Sequence, residues 1–215
     1  MSAPFDLAET DRLLSTTRAV RRRLDLERPV ERELLLDCVR LAQQAPTASN
    51  TQTWRWLIVS EAAQRAEIAR IYREIAEVGL PQARKQASKD AQTVRVYDSA
   101  EWLAEHLHEV PVLVVPCVSG YDASAGSGTA AALYGSIYPA VWSFQLALRS
   151  RGLGSTLTTL HLFREAEVAK ILDIPDGVSQ VALLPVAWTV GSDFKPAKRP
   201  PPESIVHWNR WQAGG

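Results

Sequence analysis

Residues Leu133 to Arg151 read LYGSIYPAVWSFQLALRSR, and this stretch decides the fold. Its side chains are apolar on almost every face of a helix, so the helix has to sit at the centre, covered by other elements. Pro139 falls within the pattern and either kinks the helix or marks its true first turn. Gly152-Leu153-Gly154 then ends it with a tight turn into a strand. This glycine pair is not a phosphate loop, because the further glycines and the Lys of such loops are missing. Downstream, the pattern predicts a strand over Ser155 to Leu160, a short helix over Glu165 to Leu172 and a nearly all-apolar strand over Val178 to Thr189.

Upstream of the helix, Pro111 to Val118 (PVLVVPCV) reads as a buried strand and SGYDASAGSGTA as a flexible loop. Trp54 to Val59 (WRWLIV) is rich in β-branched and aromatic residues and predicts a strand, with Ser60 placed to cap the helix after it. Glu61 to Glu109 is helical in composition and heavily charged. Pro81 interrupts it and little apolar periodicity shows between Ala83 and Thr93, so helices partly outside the core are expected, forming a cover over a site. In VERELLLDCVRLAQQA, Leu34, Leu35, Cys38, Val39, Leu41 and Ala42 recur at helical spacing until Pro46 stops the helix. An amphipathic segment over Phe5 to Leu14 precedes it. The tail, Gly191 to Gly215, holds Pro196, Pro200, Pro201 and Pro202, which exclude helix and central strand, while Trp208 and Trp211 need a surface to cover. Such a tail suits an arm wrapped on a partner subunit.

The chain has 215 residues, 46% of them apolar and 22% charged, which fits one compact domain over 1–215 with cover helices at about 70–109 and an extended arm at 191–215. Its 24 basic and 24 acidic side chains cancel, which argues against broad binding to nucleic acid; any anion site has to be local. One local excess is plain: Arg18, Arg21, Arg22, Arg23, Arg28 and Arg32 crowd against Asp25, Glu27 and Glu31. Cys38 and Cys117 lie in apolar runs and read as buried thiols. The N-terminus lacks the basic and apolar pattern of a signal peptide, and the longest apolar run is too short to span a bilayer, so a cytoplasmic protein without a membrane partner is the default.

Three separated segments together resemble the nitroreductase family of FMN-dependent oxidoreductases. Arg18-Ala19-Val20-Arg21-Arg22-Arg23-Leu24 with Pro29-Val30 is similar to the pattern RRSxRxF…PV. Ala45-Pro46-Thr47-Ala48-Ser49-Asn50-Thr51-Gln52-Thr53-Trp54-Arg55-Trp56 is similar to APSxxNxQPWxF, and Tyr134 to Leu162 resembles the family's central helix, Gly-Leu-Gly turn and following strand. Arg199, a basic residue before the tail, completes the pattern. The resemblance implies an α+β fold with a central, mostly antiparallel sheet flanked by helices, in a homodimer that exchanges its C-terminal arm. It also implies hydride transfer from NADPH or NADH through FMN to an electron-poor acceptor such as a nitroaromatic or quinone. A flavin-sequestering protein and a specialised flavin dehydrogenase or dehalogenase are the alternatives on the same fold.

By the same resemblance, Arg18 and Arg199 match cations on the FMN phosphate, with the backbone of Ala19 and Val20 against the same group, and Arg22 matches a basic side chain at the pyrimidine edge. Pro46, Thr47, Ala48 and Asn50 match a loop that reaches the flavin from the opposite subunit. Leu157, Thr158 and Thr159 match a strand end whose backbone faces flavin N5 and O4. The cofactor carries the electrons, so the missing Ser/His/Asp constellation is in keeping with this chemistry. There are departures. Ala19 and Val20 stand where the family has Arg and Ser, leaving Arg21 or Lys198 to supply the lost contact; Thr53 replaces a Pro, and Trp142-Ser143 a Gln-Asn pair.

Read without the resemblance, Arg18 to Arg23 is a solvated face and the PTASN loop a helix stop with an Asx-type turn. Arg21 and Arg23 are expected at the surface, since alternate positions of a helix cannot all point at one phosphate. His106 and His108, two apart, point to different faces and make a poor metal pair. His161 is read as a hydrogen-bonded structural histidine before a catalytic one. Trp54, Trp56, Trp142 and Trp188 are expected in the core, and Trp102 either on a substrate or on a neighbouring helix.

Overall fold

The computed structural model describes residues 5–87, 89–120 and 123–211. Strands β1 (Trp54–Val59), β2 (Val112–Ser119), β3 (Leu153–Ser155), β4 (Val178–Gln180) and β5 (Leu184–Trp188) form one sheet in the order β1-β2-β5-β3, with β4 also on β2. All the strand pairs are antiparallel, as expected. Helices α1 (Leu7–Thr16), α2 (Arg32–Ala42), α3 (Ala62–Gln86), α4 (Ala91–His106), α5 (Ser127–Ser150) and α6 (Glu165–Ile171) flank it. The sheet separates two cores. One packs α2 and α5 on one face through Leu35, Cys38, Ile137 and Phe144; the other packs α3 and α4 on the opposite face through Ile68, Ile71, Tyr72 and Leu103. Burial on both faces explains why β2 is apolar at nearly every position. Both thiols are buried, and burial pushes Cys38 up to about 11 and Cys117 to about 12.

Several expectations are corrected. Pro81 interrupts nothing: α3 runs through it, as α5 runs through Pro139, and each proline faces outward at the loss of one intrahelical bond. Pro139 therefore does not mark a first turn. Helix α5 begins at Ser127, inside the segment read as loop, of which Tyr121 and Asp122 lie outside the described residues. Ser60 caps nothing; the N-cap is Glu61, and Arg65 instead ties the helix start to the carbonyls of Ser60, His108 and Val110. The front half of α3 belongs to the core, so only its rear and most of α4 form a cover.

The long strand expected over Val178 to Thr189 is broken into β4 and β5. Between the pairs Cys117–Gln180 and Val114–Leu184, two residues of β2 face three of the partner, a β-bulge. Pro116 is the cause. Its carbonyl accepts from Val181 N at 3.0 Å, so its missing N–H falls on that same side of the strand and the ladder has no donor there. Leu183, freed from β2, exchanges both of its backbone bonds with Thr158 (3.0 and 2.8 Å). The strand expected over Ser155 to Leu160 is correspondingly short, ending at Ser155, with Thr158 as an isolated bridge and a 3-10 turn over Leu160–Arg164.

Helix α5 is not covered all round. Tyr134, Gly135, Pro139 and Trp142 recur at helical spacing on one exposed face, with Trp142 45% exposed where a core position was expected. Trp54 is buried, Trp56 packs on Phe144, and Trp188 is half-covered by Arg28 at 3.6 Å. The tail is extended, and Ile205, Val206, Trp208 and Trp211 are exposed on this chain.

Candidate active site

The arginine-rich segment is not helical. Ala19 bridges Ser155 in parallel, with Val20 N donating to Ser155 O at 2.9 Å; the chain then turns over Arg21–Arg23, where Leu24 N donates to Arg21 O at 3.2 Å, and Leu24 bridges Thr189 just after β5. This approach depends on Gly154. A Cβ there would lie 2.7 Å from Thr189 Cγ2 and 3.0 Å from Val20 Cβ, and no L side chain fits. Gly152, at φ +83°, makes the turn out of α5 and so confirms the first half of the glycine reading.

The segment lines a cleft of about 320 Å³ with Arg18, Ala19, Val20, Arg21, Arg22 and Arg23, closed by Ser99 of α4 and by Asp193, Phe194 and Lys195 at the start of the tail. Arg18 Nη1 donates to Lys195 O at 2.9 Å. Arg23 donates to Val190 O (2.8 Å) and Asp193 Oδ1 (2.7 Å), and its guanidinium lies 4.1 Å from the Phe194 ring, which Arg149 approaches at 4.5 Å. Asp193, the one acid among the lining residues, is therefore already engaged, and Arg23 holds its carboxyl below the usual range. The other cations leave a local positive field that suits a dianionic group.

Arg21 and Arg23 are thus anchored residues rather than free surface cations. Arg21 is half-buried, donates to Ser99 Oγ at 3.4 Å, and desolvation lowers its pKa. Arg22 reaches up to the cover, donating to Asp98 O at 3.1 Å with its guanidinium 5.9 Å from the Trp102 ring; Trp102 itself leans on His106 of its own helix. The ion pair Arg84–Asp98 (2.6 Å) fixes α4 against α3. The amide of Val20 is spent on Ser155, so its part is to hold the segment, not to meet an anion. Lys198 and Arg199 do not line the cleft: Arg199 donates to Lys198 O at 3.3 Å, and of the three tail cations Lys195, Lys198 and Arg199 it is Lys195 that stands among the lining residues.

Leu157 and Thr159 are exposed at the end of β3, but both backbone groups of Thr158 are taken by Leu183. What Thr158 offers is its hydroxyl, 3.0 Å from the Tyr72 hydroxyl. Tyr72 carries no sequence signal beyond its place on a buried helical face. His161, next in line, is fully buried, and neither ring nitrogen has a partner among the described residues, against the hydrogen-bonded role expected of it. Burial lowers its pKa from 6.5 to about 4. The unfolded chain takes up this proton near pH 6.5 and the folded one only near 4, so the stability is complete above pH 6.5 and falls as the pH drops towards 4. The loss is roughly 3 kcal/mol. Thermal melts between pH 7 and 4 should show this slope, and His161→Phe should flatten it.

The loop with Pro46, Thr47, Ala48 and Asn50 is elsewhere. Ala48 N donates to Ser136 Oγ (2.9 Å) and Asn50 Oδ1 accepts from Gln52 Nε2 (2.8 Å), while Ser49, Asn50 and Gln52 all adopt positive φ near +50°. The loop enters β1 at Trp54, opposite Val118, whereas the cleft stands on β3, whose Ser155 pairs through Val186 to Val112. Six residues of β2 separate them, about 20 Å at the rise of an extended strand. Within one chain the loop and the cations do not meet.

This fold is an α+β arrangement of one antiparallel sheet flanked by helices, with a cation-lined cleft beside β3. The nitroreductase family matches residues 14–188, and the chain belongs to that family of oxidoreductases. Among its relatives, iodotyrosine deiodinase of Thermotoga neapolitana is 29% identical over 196 residues, 91% of this chain and 96% of that protein. The 5,6-dimethylbenzimidazole synthase of Rhodospirillum rubrum is 29% identical over 164 residues, 74% of this chain and 73% of that one. The crystal structure of oxidized iodotyrosine deiodinase bound to FMN and 3-iodo-L-tyrosine matches with a TM-score of 0.70 at 26% identity, over 94% of this chain and 99% of that chain. No helix among the described residues is long and apolar enough to cross a membrane.

Proposed function

We propose that the protein is a homodimeric flavoprotein that binds FMN and passes a hydride from NADPH or NADH to an electron-poor acceptor such as a nitroaromatic or quinone. The observation that carries this reading is the set of cations laid over Gly154 beside the strand end Leu157–Thr159. It offers fixed positive charge for a phosphate at one end and polar groups for a flat ring at the other. Bound FMN takes up a hydride at N5 and gives it on, so the chain needs no nucleophile or general base of its own. Arg18 and the Lys195 side chain are suited to hold the phosphate, Arg22 the pyrimidine edge, where a cation favours the negative charge that reduction brings. Trp102 and α4 exclude water from above.

Two observations favour the dimer. The 20 Å between loop and cations is closed if a second copy, turned about a two-fold axis, brings Pro46, Thr47, Ala48 and Asn50 to this chain's cleft. The exposed apolar stripe of α5 and the aromatic tail supply surfaces that such a copy would cover.

Titration with FMN followed near 450 nm, then stopped-flow mixing with NADPH and NADH, tests the reading; a chain that stays colourless overturns it. Arg18→Ala should weaken FMN binding by about tenfold to a hundredfold, the range for one charge-assisted contact. Arg199→Ala reports whether the arm brings a further cation back to the phosphate in the dimer, and unchanged affinity removes Arg199 from the set. A second reading is favoured by the likeness to iodotyrosine deiodinase: reductive dehalogenation of an aromatic substrate. Iodide release from 3-iodo-L-tyrosine by the reduced protein distinguishes it from nitro or quinone reduction.

A further inference from the structure

Tyr72 stands in the middle of α3, 2% exposed, among Ile68, Ile71 and Ala76, and its hydroxyl is 3.0 Å from Thr158 Oγ1. It links the side chains of the core behind the sheet to the strand end that the proposed function sets against the reacting edge of the ring. We propose that Tyr72 is a positioning residue, which through Thr158 sets the direction of the hydroxyl hydrogen offered to that edge. This inference rests on the flavin reading above.

Thr158 has one polar group left to give. Its N–H and C=O are both bonded to Leu183, so it can act only through Oγ1. A threonine hydroxyl at a half-buried site rotates freely unless a partner fixes it, and one held by a second hydroxyl has two well-defined states. In the first, Tyr72 donates to Thr158 and the Thr158 hydrogen is free to point away from the phenol. In the second, Thr158 donates to Tyr72 and its oxygen is left to accept.

The surroundings favour the first state before reduction. Arg21, which lines the cleft, is an electrostatic neighbour of the phenol. A guanidinium has donors only, so a neighbouring Arg21 favours a phenol hydrogen turned away from it, as in the first state. Burial raises the Tyr72 pKa, which keeps the phenol neutral and able to serve as either donor or acceptor. N5 of a flavin accepts a hydrogen bond before reduction and donates one after it. The Tyr72–Thr158 pair matches both states by turning two O–H bonds, with no heavy atom displaced and no water admitted.

The test uses the FMN-loaded protein. In Tyr72→Phe the ring and its packing remain, so FMN affinity should stay within about twofold. Hydride uptake from NADPH or NADH should slow by about threefold to tenfold, the factor carried by one ordinary hydrogen bond. The flavin midpoint potential should shift from the wild-type value. Thr158→Val should do the same, Thr158→Ser should restore both quantities, and the double variant Tyr72→Phe/Thr158→Val should be no slower than Thr158→Val alone, since the two groups act as one unit. An unchanged potential and rate in Tyr72→Phe, or effects that multiply in the double variant, overturn the proposal. Wild-type protein that holds no FMN removes the flavin reading and this inference together, whereas a normal flavin spectrum with an indifferent Tyr72→Phe removes Tyr72 alone.

Discussion

Gly154→Ala should abolish FMN binding while leaving a folded but weakened protein. The added methyl group meets Thr189 Cγ2 at 2.7 Å and Val20 at 3.0 Å, and neither neighbour is the free end of a long side chain. The core side offers no escape, because Val20 is buried and Thr189 N is bonded to Gly152 O at 3.0 Å. The arginine segment has to lift from β3, breaking the bond from Val20 N to Ser155 O and moving Arg18 and Arg21 off the cleft together. Overpacking of this kind costs about 1–3 kcal/mol. In a chain of this size that is a fall in melting temperature of roughly 2–12 °C. Thermal melts and FMN titration check the two halves separately; a variant that melts early yet binds FMN normally would show that the segment's docking on β3 does not organise the site.

Trp142→Glu should dissociate the proposed dimer and with it the flavin site. The indole is the C-terminal member of the exposed stripe on α5, and a carboxylate in an apolar interface has to be desolvated without a partner, which costs several kcal/mol. Two copies of the change face each other across a two-fold axis, so the penalty is paid twice. Sedimentation should show a single chain at concentrations where the wild type is dimeric. FMN affinity should fall by at least a hundredfold, because the loop with Asn50 no longer reaches the cations. Since Trp142 stands outside the two cores, the circular dichroism of the chain should be nearly unchanged. A dimeric Trp142→Glu protein would move the interface away from α5.

Where side-chain character is local, the sequence was easy to read. Trp54–Val59 forms a strand at the expected bounds because aromatic and β-branched residues are flanked by turn formers on one side and a helix start on the other. Helix α2 and the short α6 follow their periodicity in the same way. The errors fall where a distant group overrides the pattern. Pro116 sits in a run that reads as one buried strand, yet its missing N–H breaks the partner strand some 65 residues later and sends Leu183 to Thr158. Pro81 reads as an interruption and Pro139 as a kink or a first turn, yet long helices anchored by buried faces absorb them. The apolar face of α5 read as buried, which the lone chain does not bear out; periodicity reports that a face is apolar and says nothing of what covers it.

The candidate site divides along the same line. The cations at Arg18 to Arg23, the turn at Gly152-Leu153-Gly154 and the nitroreductase resemblance are properties of consecutive residues, and the sequence by itself determined them. The tertiary structure alone decided that the arginine segment is a turn held between two isolated bridges and not a helix, and that Arg18 reaches the Lys195 carbonyl across 177 positions of chain. It decided too that Thr158 has only a hydroxyl to offer, fixed by Tyr72. The physical reason is that composition sets how much charge and how many donors a segment carries. Their direction depends on which backbone groups neighbouring strands have already taken, and that account closes only when the whole sheet is assembled.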